Sequence, residues 1–540
     1  MLLELSDIVK YVNDRRLLKI DNLKINRGDK IGVVGRNGVG KSTLLAILAG
    51  EVQPDEGHVR RNCPYSSISQ LGAPMSGRTL DPLAAGEFAV AKAYAGHMSG
   101  GEQTRFKIAA ALSEQAPLLL ADEPAANLDI KGRELLQAKL QAFQGTLVLV
   151  SHDRLLLDAV CDTIWEIDNG GLQAYRGNYT AYLAQKDNAR KHREREYEKY
   201  TDKRNQLQTA IADRKARAAA TRKTPARMGN SEARLHKMGN QKAKANLDKA
   251  VKAMEARLEK LPVAEKPQTG PAITFPFGYT GGLHSKIAVR GEGLDKRFGS
   301  RVIFDKADFS LPAGQKVALC GNNGSGKSTL LNMIVGRDAR ISLAPQARIG
   351  YFAQSMENLD PAKTLLANVM AASVHDEGAV RSLLARLLFR REDVFKPAGV
   401  LSGGERTRVS LAKIIVSDAN FLLLDEPTNY LDLSSLAALE EVLADYAGTL
   451  LFVSHDRRFI DRVATRLLFV DAGKLRPFAG NYRQYLDRQQ APLPGAAKES
   501  DIVREHRRAE ILARLSVTRD KDEAARLDKE YRGLMATTKA

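Results

Sequence analysis

The segment GRNGVGKST, Gly35 to Thr43, returns 286 residues later as GNNGSGKST, Gly321 to Thr329. This spacing suits a polyphosphate. Gly35, Gly38, Gly40 and their counterparts Gly321, Gly324, Gly326 let the backbone approach it closely, and the N–H groups running through Asn37 and Asn323 to Thr43 and Thr329 can point at its oxygens. Lys41 and Lys327 are placed to reach the β and γ phosphates, and Ser42 and Ser328 to offer a hydroxyl to Mg²⁺. Two apolar runs then end in Asp122-Glu123 and Asp425-Glu426, where the aspartates suit Mg²⁺ and the glutamates can polarise an attacking water. VSHDR occurs twice and sets His152 and His455 behind further apolar runs, beside the same phosphates. The chemistry expected is hydrolysis of ATP held with Mg²⁺.

Each glycine loop must be carried by a strand before it (Lys30 to Val34; Lys316 to Cys320) and a helix after it (Ser42 to Leu48; Ser328 to Ile334). The motifs keep their order in both halves. Ser99 to Asp122 and Ser402 to Asp425 are both 23 residues, and Asp122 to His152 and Asp425 to His455 are both 30. Equal order and spacing mean a duplicated domain. The expected fold is α/β, with two tandem P-loop domains over 1–183 and 263–488, a helical hairpin linker over 184–262 and a short helical C-terminal extension over 489–540.

MSGGEQTR at Met98 and LSGGERTR at Leu401 complete the set, and with them the residues resemble the ABC ATPase family over about 400 of 540 positions. That resemblance implies an intramolecular sandwich, in which the signature of one copy closes over the ATP of the other. Site one then joins Lys41, Ser42, Gln70, Asp122, Glu123 and His152 to the signature Ser402, Gly403, Gly404, Glu405. Site two joins Lys327, Ser328, Gln354, Asp425, Glu426 and His455 to Ser99, Gly100, Gly101, Glu102. Gln70 and Gln354 stand where the family places a Mg²⁺-sensing glutamine, and Tyr11 and Phe298 where it stacks an aromatic on adenine. The first copy departs from the family turn: PAANLD replaces the PTNYLD of the second copy, with Ala125 and Ala126 in place of Thr and Asn. Site one is therefore expected to turn over or communicate differently.

Charge is distributed unevenly. Lys and Arg exceed Asp and Glu by 18, and residues 184–262 alone hold 22 basic against 10 acidic residues, 12 of that excess. Six basic residues, Arg214, Lys215, Arg217, Arg222, Lys223 and Arg227, crowd the expected tip with no acidic residue among them, an arrangement that favours a polyanion such as RNA. Strong helix formers, interrupted by Pro225, Gly229 and Gly239, predict a helix over 179–214, an irregular tip over 215–231 and a returning helix to 261. Residues 489–540, with 11 basic and 9 acidic residues, could touch RNA or pack on the body.

Two such domains around a charged helical linker resemble the ABC-F proteins that act on the ribosome, and the stretch from Thr224 to Ala250 is similar to the linker of the antibiotic-resistance members of the Vga and Lsa kind. The resemblance implies a monomeric, cytoplasmic ribosome-protection factor. It would bind the exit-site region of the bacterial ribosome and act on large-subunit RNA and P-site tRNA so that an antibiotic leaves the peptidyl-transferase centre. A housekeeping translation factor of the same family is the alternative, although only 28 residues separate Gln70 from Ser99 and leave no room for the extra arm such factors usually carry. The ATPase subunit of a drug exporter is a third reading, and it would need a membrane partner. No apolar run approaches the ~20 residues of a bilayer span. Cys63, Cys161 and Cys320 are too few for a disulfide framework or a four-cysteine zinc site.

Overall fold

The computed structural model describes residues 1–69, 79–94, 98–220, 230–262, 283, 285–353, 358–389 and 392–490, with backbone alone for 220, 230–244, 489 and 490. Contacts divide the chain into two units. The first comprises Met1–Gly281, Gly350–Asn420 and Glu426–Ala447, and the second Gly282–Ile349, Phe421–Asp425 and Gly448–Ala540. The division does not follow the repeat, because the helical part of the second copy and the segment beginning at Glu426 belong to the first unit.

A nine-stranded sheet forms the first unit, in the order Glu56–Arg61, Leu3–Val12, Arg15–Ile25, Gly171–Arg176, Thr163–Asp168, Lys30–Gly35, Thr146–Val150, Leu118–Asp122, Tyr65–Ile68. Its parallel half is the part that carries motifs, with Leu118 opposite Thr146 and Lys30 opposite Leu147. Strands covered on both faces need apolar residues throughout. In Leu118–Asp122, Leu118 and Leu120 join the core around Leu44, Leu48 and Trp165. Leu119 and Ala121 point the other way, into the core around Phe106, Leu136 and Leu149. That alternation fixes the register, and the first polar residue, Asp122, emerges at the carboxyl end beside the phosphate loop.

In the second unit the parallel strands Phe421–Asp425, Thr449–Val453, Lys316–Gly321 and Arg466–Asp471 lie side by side, followed by the antiparallel Lys474–Ala479. A separate three-stranded sheet sets Ile287–Phe298 between Arg301–Pro312 and Ile341–Leu343. Both phosphate loops turn into their helices, Lys41–Ala49 and Lys327–Val335, through a glycine in the left-handed region, Gly40 at φ 105° and Gly326 at φ 107°. A Cβ on Gly40 would meet Leu17 and Leu18 at 3.0–3.1 Å, so neither conformation nor space admits a side chain there.

The linker is a pair of long helices, Tyr179–Ala220 and Asn230–Glu259. The first extends six residues past the expected end at 214, because the run ARAAA consists of the strongest helix formers, and Gly239 sits within the second helix rather than interrupting it. Forty-two residues span roughly 63 Å. A thin seam of Ile211, Ala218 and Val251 joins the two helices, reinforced by an ion pair between Lys215 and Glu255 at 2.8 Å. Arg222, Lys223 and Arg227 lie outside the described residues, as does the expected C-terminal extension beyond 490. Among the described residues, no helix is long and apolar enough to cross a membrane.

Candidate ATP site

In the first unit, Lys41 is buried and its ammonium donates to the carbonyls of Gly35 and Arg36, at 2.9 and 3.0 Å. Burial lowers its pKa, against the attraction of Glu123, Asp432 and Asp122. Ser42 donates to Asp122, whose carboxyl is raised by burial and whose Oδ1 is enclosed without a hydrogen bond. A hydroxyl and a carboxylate with an oxygen to spare are the hard donors Mg²⁺ takes together with phosphate oxygens, so these residues fit that ion. Among the described residues no cluster of three or more His, Cys, Asp or Glu exists to hold a metal without such help.

Glu123 occupies the left-handed region at φ 48°, a conformation costing about 1–3 kcal/mol that clusters at functional sites. Its Oε2 accepts from the backbone N–H of His152 at 3.2 Å, while Oε1 lies 3.4 Å from His152 Nε2 without forming a hydrogen bond. Burial pushes the carboxyl up to about 8. His152 moves the other way, down to about 3, through burial and the nearby Lys41. At neutral pH the pair is therefore mostly a protonated acid beside a neutral imidazole. Glu123 can accept a proton from water only once its surroundings favour the charge.

The second copy's signature also belongs to this unit. Ser402 caps the helix Gly403–Ile415 in a capping box: its hydroxyl accepts from Glu405 N–H and donates to Glu405 Oε2 at 2.7 Å. Ser99 and Glu102 repeat the motif at the helix Gly100–Ser113. Gly404 approaches so closely that a Cβ would lie 2.6 Å from the carbonyl of Tyr430 and 3.3 Å from Asn37 Nδ2. Asn37 in turn donates its side-chain amide to Tyr430 O at 2.7 Å and its backbone N–H to Asp432 Oδ2 at 3.3 Å. The first copy's phosphate loop thus meets the second copy's signature and the turn after Glu426. Although burial opposes it, hydrogen bonds from Ser435, Ser434 and Asn37 lower the Asp432 carboxyl, so its charge persists beside the loop.

Within the second unit the pattern at Lys327 matches that at Lys41, with hydrogen bonds to the carbonyls of Gly321 and Asn322 at 3.0 Å. Ser328 donates to Asp425, again raised by burial. Phe298, 57% exposed at the end of its strand, lines an open cleft of about 320 Å³ with Lys296, Thr329 and Met333. A planar base could stack there. Tyr11 is likewise exposed, with its backbone N–H donating to Asp55. His455 belongs to the second unit, and Glu426, at φ 50°, to the first. Gln70 and Gln354 lie outside the described residues.

Sequence reasoning did not single out Asn37's partners, Arg133 or Glu440. Arg133 donates to Asp153 at 3.1 Å and to the carbonyl of Leu128, beside His152, and its charge favours the ionised form of Glu123. Its repeat position in the second copy is Leu436, a difference visible when the two copies are set side by side.

Two family models, both described as ABC transporter, match residues 18–76, 78–126 and 304–429, and residues 165–275. The chain is 34% identical over 471 residues to the erythromycin resistance ATP-binding protein MsrA of Staphylococcus epidermidis, covering 86% of this chain and 96% of that protein. It is 32% identical to the ribosome protection protein VmlR of Bacillus subtilis, over 98% of this chain and 96% of that one. Identity is 31% to the energy-dependent translational throttle protein EttA of Escherichia coli, over 91% and 96%. A solved archaeal ribosome recycling factor, aABCE1, in complex with the stalk protein aP1, shares the fold at a TM-score of 0.61 and 21% identity, over 90% of this chain and 92% of that one. Paired phosphate loops, signatures and Asp-Glu strand ends, with likeness to these relatives along nearly the whole chain, establish that it belongs to the ABC-F family of ATPases.

Proposed function

We propose that this chain is a cytoplasmic, ATP-dependent ribosome-protection factor, working as a monomer in which the two copies close over two ATP molecules. The observation that supports this most is a conjunction within one unit: a phosphate loop facing the other copy's signature, and a two-helix arm of 42 and 30 residues with a basic far end. In this reading residues 1–183 and 263–488 are the ATPase domains, 184–262 the arm, and 489–540 an extension. Lys41, Ser42, Asp122, Glu123 and His152 act with Ser402 and Gly404; Lys327, Ser328, Asp425, Glu426 and His455 act with Ser99 and Gly101. Ser42 with Asp122, and Ser328 with Asp425, would hold Mg²⁺, which would neutralise charge on the phosphates. Glu123 and Glu426 orient water, and His152 and His455 act beside the phosphates.

With ATP bound, the closed form would enter the exit-site region and direct the arm at large-subunit RNA and P-site tRNA near the peptidyl-transferase centre, so that a bound antibiotic leaves. A ligand shifts such an equilibrium only by its differential affinity for two states, which closure provides. MsrA and VmlR carry resistance and ribosome protection in their names, and the sequence from Thr224 to Ala250 resembles the linker of the Vga and Lsa kind. Similarity to EttA at nearly the same level favours a housekeeping translation factor as the second reading. Drug susceptibility of a deletion strain separates the two: unchanged susceptibility to every ribosome-targeting class eliminates protection. Glu123→Gln with Glu426→Gln should bind ATP, remain on ribosomes during sedimentation and inhibit growth, whereas sedimentation no better than wild type would exclude closure as the holding force.

A further inference from the structure

The helix Leu433–Asp445 of the second copy touches the first copy's site at two points. Its cap, Asp432, accepts from the N–H of Asn37 in the phosphate loop. Eight residues on, about 12 Å along the axis, Glu440 accepts a two-pronged pair of hydrogen bonds from Arg154, Nη1 to Oε2 at 3.1 Å and Nη2 to Oε1. Arg154 begins the helix Arg154–Val160 two residues after His152, and both partners are removed from solvent, at 4% and 0% side-chain exposure. Asp153, which caps that helix, is held from its other side by Arg133. Leu433 packs into the first copy's core.

Both charged residues must sit together, since a buried guanidinium or carboxylate left alone is far more costly than the pair. Separating the copies would expose both to water through a state in which neither is paired. The two copies differ here in sequence: Arg457 repeats Arg154, whereas Gln137 stands at the repeat position of Glu440.

We propose that Arg154 and Glu440 form a buried latch that ties the segment from His152 into the helix Arg154–Val160 at the first site to the second copy and slows separation of the copies after hydrolysis there. Arg154 acts through His152 and the helix it begins, as a positioning residue. The latch rests on the proposed closing and opening of the two copies. It can be tested without ribosomes, by energy transfer between dyes on exposed Gln144 and Ala371, replaced by cysteine in a Cys63→Ser background.

Glu440→Gln should open at least tenfold faster than wild type after a single turnover and raise kcat, with KM for ATP within twofold, a split that general loss of stability does not produce. The exchanged pair Arg154→Glu with Glu440→Arg should return opening to within about twofold of wild type. Asp445→Asn, which breaks an outer ion pair with Arg386 on the same helix as Glu440, should leave opening unchanged. If Glu440→Gln does not fold, Arg154→Met with Glu440→Leu removes both charges at similar volume, a change that buried pairs often tolerate, and fast opening is again expected. Wild-type opening in the variant that folds, or failure of the exchange to restore it, overturns the latch. Failure of Glu123→Gln with Glu426→Gln to stay closed in ATP brings down the sandwich reading and the latch with it; closure there with unaltered opening in the latch variants removes the latch alone.

Discussion

Glu123→Gln should stabilise the nucleotide-free protein, and the gain should grow with pH. The folded carboxyl is raised by burial to about 8 from an ordinary value of 4.5. Between those two values the folded protein binds more protons than the unfolded chain, so this group's contribution falls as pH rises. At 1.36 kcal/mol per pKa unit, keeping Glu123 buried costs under about 1 kcal/mol at pH 5 and about 3 kcal/mol at pH 7, levelling near 5 kcal/mol above pH 8. Glutamine keeps the shape and an acceptor for the His152 N–H without the charge. His152, held near 3 against an ordinary 6.5, makes stability rise between those values in both proteins, so it largely cancels in their difference. With about 2–4 °C per kcal/mol for a domain of this size, the variant should melt roughly 6–12 °C above wild type at pH 7 and only a few degrees above it at pH 5. Trp165, the chain's single tryptophan, is buried in the same sheet, and its fluorescence reports the melting of that unit. A difference that stays flat from pH 5 to 8 would falsify the buried, protonated carboxyl.

Gly404→Ala would drive a Cβ to 2.6 Å from the Tyr430 carbonyl, so ATPase activity should fall at least tenfold while ATP affinity, measured by equilibrium binding, changes little; activity within twofold of wild type removes the close approach from the mechanism. Glu123→Gln and Glu426→Gln as single changes should differ in steady-state turnover and ribosome-bound lifetime, because the first copy has the PAANLD turn and Arg133 where the second has PTNYLD and Leu436; equal effects show these differences to be silent. Replacing Arg217, Arg222 and Lys223 with Ala should weaken ribosome binding and reduce the slope of log K against log salt by about 0.7–0.9 for each RNA phosphate no longer neutralised, leaving ribosome-free ATPase unchanged. An unaltered slope counts against RNA contact at the tip.

What the sequence determined about this protein was the chemistry and the strands and helices that carry it. Backbone-driven motifs are local: a phosphate loop needs its glycines, lysine and serine within nine residues, and an apolar run that stops at Asp122 reveals a buried strand and its carboxyl end together. Duplication made the reading robust, since equal spacing in two copies leaves little to chance. The linker's helical character was equally legible from composition, but its boundary was not, because helix formers continue past Arg214 to Ala220. Tertiary structure alone decided which residues meet across hundreds of positions. Nothing local distinguishes Glu440 from an exposed helical glutamate, or tells that Arg154, 286 residues earlier, is its partner. The same holds for Asn37 with Tyr430 and Asp432. The protonation of Glu123 and His152 was also beyond the sequence, because a pKa follows from the solvent and charges excluded or admitted by packing. Motif chemistry is set by covalent order, whereas burial and long-range pairing exist only once the chain has folded back on itself.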